Sequence, residues 1–207
     1  PLYSSAASDV YKRQETVTYT LYQITELSDE ARDKAHKEWL SNGYFYGWTD
    51  ENRRCLDTFC RLFGIVCNKW SYDAYSYNYT HHSRQEDYID GLKGWRLATY
   101  LINNHWSDLY TPKYFWKGMK GRKSRIFIDT CCPLTGYYID NYILAPIDDF
   151  LKSPSENVTF EDLMNDCLDS FFRACRDDME STQTMEYFVE ECNANDWEYL
   201  SDGKLFN

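Results

Sequence analysis

Apolar residues recur along this chain at two periods, and the period changes segment by segment. Thr16-Val17-Thr18-Tyr19-Thr20-Leu21-Tyr22 alternates apolar and polar positions, which predicts a half-buried strand. Ser28, followed by Asp29 and Glu30, predicts the capped start of a helix with Ala31, Ala35, Trp39 and Leu40 on one face and Gly43 at its end. A second helix is expected from Thr49-Asp50-Glu51, with Cys55, Leu56, Phe59, Cys60 and Phe63 as its apolar stripe and Gly64 as its stop. From Ile65 to Tyr79 the period falls to two, through Trp70 and Tyr72 and then Tyr75, Tyr77 and Tyr79, which predicts one or two strands.

Gly91 to Asn104 reads as a shorter helix carrying Trp95, Leu97, Tyr100 and Leu101, weakened by Gly91 and Gly94. Arg125 to Asp129 is a compact strand, and Cys132-Pro133-Leu134-Thr135-Gly136 a turn. Tyr142, Ile143, Ile147, Phe150 and Leu151 follow a helical period interrupted by Pro146. Thr159 caps a long helix with Leu163, Cys167, Leu168, Phe171 and Cys175 inside, and Thr184 to Asn193 makes another. Trp197 to Leu200, an Asp202-Gly203 turn and Leu205-Phe206 predict a closing hairpin. Without regular β-α-β alternation, the expected class is α+β: several amphipathic helices packed on a small, mainly antiparallel sheet.

Residues 1–14 are set aside as an artefactual leader. Asp9-Val10-Tyr11-Lys12-Arg13-Gln14 is the translation of the end of a common sequencing-library adapter, so the native fold is expected as one domain over 15–207. No window approaches ~18 uninterrupted apolar residues, so no membrane partner is expected. The eight cysteines fall mainly on helical stripes, where thiols act as small hydrophobes, and this predicts free thiols and a cytoplasmic setting. Their spacings fit no paired C-x2-C zinc framework; a meeting of His81-His82 with Cys131-Cys132 is the one metal route left, and the expectation is no metal and no cofactor.

Charge sharpens the picture. The formal net is −11, yet residues 140–207 alone hold 17 acids and 4 bases. Between Tyr110 and Ile128 there is no acid, while Lys113, Lys117, Lys120, Arg122, Lys123 and Arg125 crowd together. A solvated loop is the plain reading of that run. The sharper one is an anion site, in which Gly118 and Gly121 let backbone N–H groups approach a phosphate and Arg122 and Arg125 chelate it. Tyr114, Phe115 and Trp116 offer stacking next door, and Trp95-Arg96 adds a second aromatic–cation pair. The ligand-binding set expected is therefore Lys117, Lys120, Arg122, Lys123, Arg125, Tyr114, Trp116, Trp95 and Arg96. The chain's net charge repels long nucleic acid, so the ligand expected is small and phosphorylated.

Catalytic signatures are missing: the sequence contains no G-x4-G-K-[ST], no H-E-x-x-H and no G-x-S-x-G. His36 reads as a boundary residue, His105 beside Trp106 as packing or capping, and no base is marked for Cys131 or Cys132. Asp162, Asp166, Asp169 and Asp177 lie along one helix, either as its ordinary solvated face or as an imitation of nucleic acid.

Leu21-Tyr22-Gln23 with Glu26-Leu27-Ser28-Asp29-Glu30-Ala31-Arg32-Asp33-Lys34-Ala35, and at the other end Ala194-Asn195-Asp196-Trp197-Glu198-Tyr199 with Asp202-Gly203-Lys204-Leu205-Phe206, resemble an uncharacterised family of phage, prophage and plasmid proteins. The family's opening runs "LYxFxELSxEAKxKA" and its close "ANEYEFTEDGKIF", and some members are labelled antitoxins. The resemblance implies a mobile-element setting and passes on no catalytic residues. Three functions follow as expectations: a non-enzymatic anti-defence protein that sequesters a host signalling nucleotide, an acidic inhibitor that binds a host defence protein, or an antitoxin-like neutraliser of a partner. A homo-oligomer is compatible with each.

Overall fold

The computed structural model describes residues 17–43, 48–109, 111–112, 128–129 and 132–206. Helices dominate: α1 (Asp29–Asn42), α2 (Thr49–Phe63), α3 (Asp87–Asp90), α4 (Gly94–Leu109), α5 (Asp140–Lys152), α6 (Phe160–Ser181) and α7 (Met185–Ala194). Strands are β1 (Tyr22–Gln23), β2 (Ile65–Tyr72), β3 (Tyr77–Ser83), β4 (Thr111–Pro112), β5 (Ile128–Asp129) and β6 (Glu198–Tyr199). They pair antiparallel as β1 with β6, β2 with β3 and β4 with β5. The fold is α+β, and among the described residues its strands form separate two-stranded ribbons.

The chain divides into two compact units, one built from residues 17–43 and 188–206, the other from 48–187. In the first, Ser28 Oγ accepts from Ala31 N at 3.3 Å and starts α1, which buries Ala31, Ala35 and Trp39. Segments early and late in the described chain meet here. Tyr22 pairs with Tyr199, Lys34 reaches the Asp202 carboxylate at 2.9 Å, and Leu200 N and Gly203 N close the expected C-terminal turn. Gly203 has φ +83, and a side chain there would run into the Ala31 carbonyl, so the turn docks on α1 only as glycine.

The strand expected over 16–22 shrinks to Tyr22–Gln23, with Val17 and Tyr19 exposed. Alternation selects a face only while a neighbouring strand runs alongside, and β6 supplies just two residues.

The larger unit centres on α6. Thr159 and Asp162 form a reciprocal capping box, with Asp162 N donating to Thr159 Oγ1 and Thr159 N to Asp162 Oδ2, both at 3.1 Å. Leu163, Met164, Cys167, Leu168, Phe171, Phe172 and Cys175 are buried, and α5 packs alongside. Pro146 does not break α5. The proline lacks the N–H that would bond the Tyr142 carbonyl one turn back, and Ser170 Oγ of α6 donates to that carbonyl at 2.8 Å instead. Trp70, Tyr77 and Tyr79 of the β2–β3 hairpin lie against Phe172 at 6.0, 6.4 and 4.8 Å between ring centres. The helix expected over 91–104 starts later, at Gly94, where Gly94 N donates to the Ser155 carbonyl, and runs on to Leu109, while the short α3 ends before it at Asp90.

One buried charge organises the loop before α5. Asp140 is fully buried and accepts from Leu134 N at 3.0 Å, Thr135 N at 2.6 Å, Thr135 Oγ1 at 2.7 Å and Gly136 N at 3.1 Å. Burial, then the nearby Asp140 carboxylate, raises the pKa of the Cys55 thiol on α2. As the first residue of α5, the carboxylate also sits at the positive end of that helix. Replacing it leaves several buried donors without an acceptor. Asp140→Ala is therefore expected to cost about 3 kcal/mol or more in urea denaturation at neutral pH. A loss below about 1 kcal/mol would contradict this account.

Candidate functional site

Of the nine residues expected to bind a ligand, Tyr114, Trp116, Lys117, Lys120, Arg122, Lys123 and Arg125 lie outside the described residues. What is described is the base from which they depart. Thr111 pairs with Asp129 and Pro112 with Ile128, so the chain leaves and re-enters at one place. Trp95 and Arg96 are exposed on the first turn of α4, Trp95 to 70%. That helix is 16 residues long. Along it, roughly 20 Å separate this pair from Leu109, two residues short of Thr111. The structure thus sets Trp95-Arg96 at the opposite end of α4 from the base of the cationic segment.

The acidic row of α6 is largely spoken for. Asp162 closes the capping box, Asp169 accepts from the Tyr77 hydroxyl at 2.7 Å and pairs with Arg173, and Asp177 pairs with Arg176 at 2.6 Å. Asp166 differs: partial burial, then the Asp162 and Asp169 carboxylates, push its pKa up. A continuous run of naked carboxylates, the simplest way to imitate a nucleic-acid backbone, is not what these distances describe. The strand tyrosines are also turned inward. Tyr77 and Tyr79 bond Asp169 and Asn165 on α6, and it is Tyr75 in the hairpin turn that is 87% exposed.

Burial governs the thiols and histidines. The seven described cysteines carry no disulfide. Burial raises the pKa of Cys55, Cys167, Cys175 and Cys192, pushes Cys60 up to about 12 and Cys67 to about 11. These groups are thiols at neutral pH, which makes them poor nucleophiles. His105 is buried against Phe63 at 4.8 Å and Tyr100 at 5.7 Å, and burial lowers its pKa. It packs as a neutral ring. His36 is half-buried against Trp39 and Phe188. Among the described residues no three His, Cys, Asp or Glu gather as a metal set, and no helix is long and apolar enough to cross a membrane.

Two cavities carry further chemistry. In the smaller unit, about 500 Å³ is lined by Glu38, Trp39, Glu191, Trp197, Tyr199 and Lys204. The Tyr199 hydroxyl lies 3.0 Å from Cys192 Sγ, and burial raises the phenol's pKa. The segments that supply these walls lie early and late in the described chain.

In the larger unit, a cleft of about 420 Å³ is lined by Trp48, Glu51, Asn52, Tyr137, Tyr138 and Asp178. Asn52 is buried and donates to the Tyr72 hydroxyl at 3.0 Å, while Arg54 donates to the Tyr137 hydroxyl at 3.1 Å. Tyr142 donates to Tyr138 at 3.4 Å, a contact that pushes the Tyr142 pKa up to about 12. None of these lining residues is marked in the sequence. The traces there are the Tyr137-Tyr138 doublet ahead of a helix and the Asp177-Asp178 doublet at the end of another.

No family model matches this chain, and comparison with curated proteins and with solved structures finds no match either.

Two outcomes follow from the titrating groups. The thiols of Cys55, Cys167 and Cys175 should react slowly with a disulfide reagent in the native protein at pH 7, and all eight should titrate after denaturation. An intact mass lighter by two or more hydrogens would contradict the free-thiol assignment.

Asp166 carries the opposite sign from a stabilising carboxylate. Because its folded pKa is raised, its ionisation opposes folding above that pKa and has no effect below the unfolded value, where both states are protonated. Asp166→Asn should raise the melting temperature at pH 7, with the gain vanishing as pH drops below about 4. A lower melting temperature at pH 7 would show that the carboxylate makes a contact of net benefit.

Proposed function

We propose that this protein belongs to a mobile genetic element and disables a host defence by stoichiometric capture of a phosphorylated signalling nucleotide. The observation that carries the reading is the β4–β5 ladder. It ties together the two ends of a stretch holding six cations and no acid, in a chain whose formal net charge is −11. Such a concentration of positive charge attracts a compact anion, while the acidic remainder of the molecule repels a long polyanion.

Capture also suits the chemistry elsewhere. The buried thiols are held protonated, and His105 is a neutral packing ring. Magnitudes allow it: nanomolar binding needs about −12 kcal/mol. A ligand of ~40 heavy atoms reaches that at about −0.3 kcal/mol per atom.

The test is equilibrium binding of nucleotides extracted from infected cells, released unchanged by heat and identified by mass. Arg122→Glu with Arg125→Glu should leave the circular dichroism spectrum intact and weaken capture from nanomolar to micromolar or worse, since each charge-assisted contact is worth about 1.5–3 kcal/mol. Undiminished capture or undiminished suppression of the defence by that double variant would remove this segment from the function.

A further inference from the structure

We propose that the outward face of the β2–β3 hairpin, where it meets the end of α2, binds a small ligand through two linked phosphate groups. This site shares no residue with the cationic segment of the nucleotide reading and does not depend on that reading.

Pairing in the hairpin decides which side chains share this face. Trp70 and Tyr79 are cross-strand partners and both pack on Phe172 of α6. Their neighbours Lys69 and Thr80, also partners, therefore stand on the other side of the ribbon. Val66 pairs with His82, and between these pairs the register slips, so that Cys67 and Asn68 together oppose His81. This bulge puts Lys69 on the face of Val66 and His82, which unbroken alternation would deny it. Lys69, Thr80, His82 and, just past the end of β3, Arg84 are all exposed.

Two hollows open here and share Val66 and Asn68 as a common wall. One, of about 250 Å³, is lined by Lys69, Thr80 and His82. The other, of about 460 Å³, is lined by Arg61, Arg84 and Asp57.

The cations are not consumed by the fold. Carbonyls at the end of α2 already have donors: Gly64 N serves Cys60, Gln85 Nε2 serves Phe63 at 3.0 Å, and Arg84 N serves Gly64 at 2.7 Å. Among the described residues, the side chains of Arg61, Lys69 and Arg84 enter no ion pair. Their three positive charges gather around Asp57, and an anion relieves the repulsion among them. Nor do the nearby thiols add negative charge at neutral pH, because burial pushes Cys60 up to about 12 and Cys67 to about 11.

The class of anion follows from the donors. A carboxylate has two oxygens, and one arginine fork satisfies it. Linked phosphate groups carry acceptors enough for both forks, the Lys69 ammonium and the Thr80 hydroxyl, with the Asn68 amide between the two hollows. The formal net charge of −11 repels a long polyanion, which selects a small molecule.

The test titrates the full chain with inorganic pyrophosphate and with inorganic phosphate, without divalent metal. Binding is read by isothermal calorimetry and by NMR of the His82 imidazole, assigned with His82→Gln. Saturable pyrophosphate binding with a matching shift of the His82 signal is expected, and phosphate should bind at least about tenfold more weakly. Arg61→Ala with Arg84→Ala should weaken pyrophosphate about a hundredfold and Lys69→Ala about tenfold, with melting temperatures unchanged. Arg122→Glu with Arg125→Glu should leave both readouts unchanged, so failure of this site and failure of nucleotide capture are read separately. No His82 shift at ~10 mM pyrophosphate, or equal affinity for the two anions, would overturn the proposal. So would undiminished binding by the Arg61→Ala and Arg84→Ala double variant, or loss of binding in the Arg122→Glu and Arg125→Glu one.

Discussion

The larger unit depends on a charge that has been taken out of water. Asp140 sits at the start of α5, is fully buried, and is tolerated because three backbone N–H groups and the Thr135 hydroxyl all point at it. An isolated buried carboxylate would cost several kcal/mol, so the loop over 132–136 is shaped by the need to supply donors. Its consequences spread outward. The loop is fastened to both α2 and α5, and the next residues in line, Tyr137 and Tyr138, are held where they line the cleft. A structural device and a candidate binding surface are therefore one construction.

Around that anchor the packing is aromatic. Phe172 of α6 receives Trp70, Tyr77 and Tyr79 from the hairpin, and the tyrosine hydroxyls reach over to Asp169 and Asn165. Polar tips on apolar bodies let a two-stranded ribbon, marginal by itself, lie half-buried on a helix without stranding its hydroxyls. The same contacts use up acids that look free in the sequence. Charge along α6 is thus converted partly into hydrogen bonds, and the molecule's acidity is less a single surface than the count of carboxylates suggests.

Periodicity made much of this fold legible. The stripes through Cys55, Phe59 and Phe63 and through Leu163, Cys167 and Phe171 mark α2 and α6, and Ser28, Thr159, Gly43 and Gly64 mark helix ends where capping chemistry is local. Errors came where a partner decides the outcome. Val17 and Tyr19 alternate like a strand but have too short a neighbour, and Pro146 reads as an interruption because the hydroxyl of Ser170 that repairs it comes from another helix. The candidate sites were less legible still. Trp95-Arg96 is grouped with the cationic segment by chemistry, yet α4 stands between that pair and Thr111.

What the sequence by itself determined is set by short-range physics: which segments are helical, where they start and stop, that six cations lie within one acid-free stretch, and that the thiols occupy apolar faces. Tertiary structure alone decided which polar groups are satisfied and by whom. Asp140 became an anchor, Asp169 a hydrogen-bond acceptor, and Asp178 a lining of the cleft, although all three are the same residue type on helices. The reason is that a carboxylate's role depends on the donors and dielectric around it. Those arrive from residues such as Cys55, Tyr77 and Trp48, which are distant in the chain and meet it only when the helices pack.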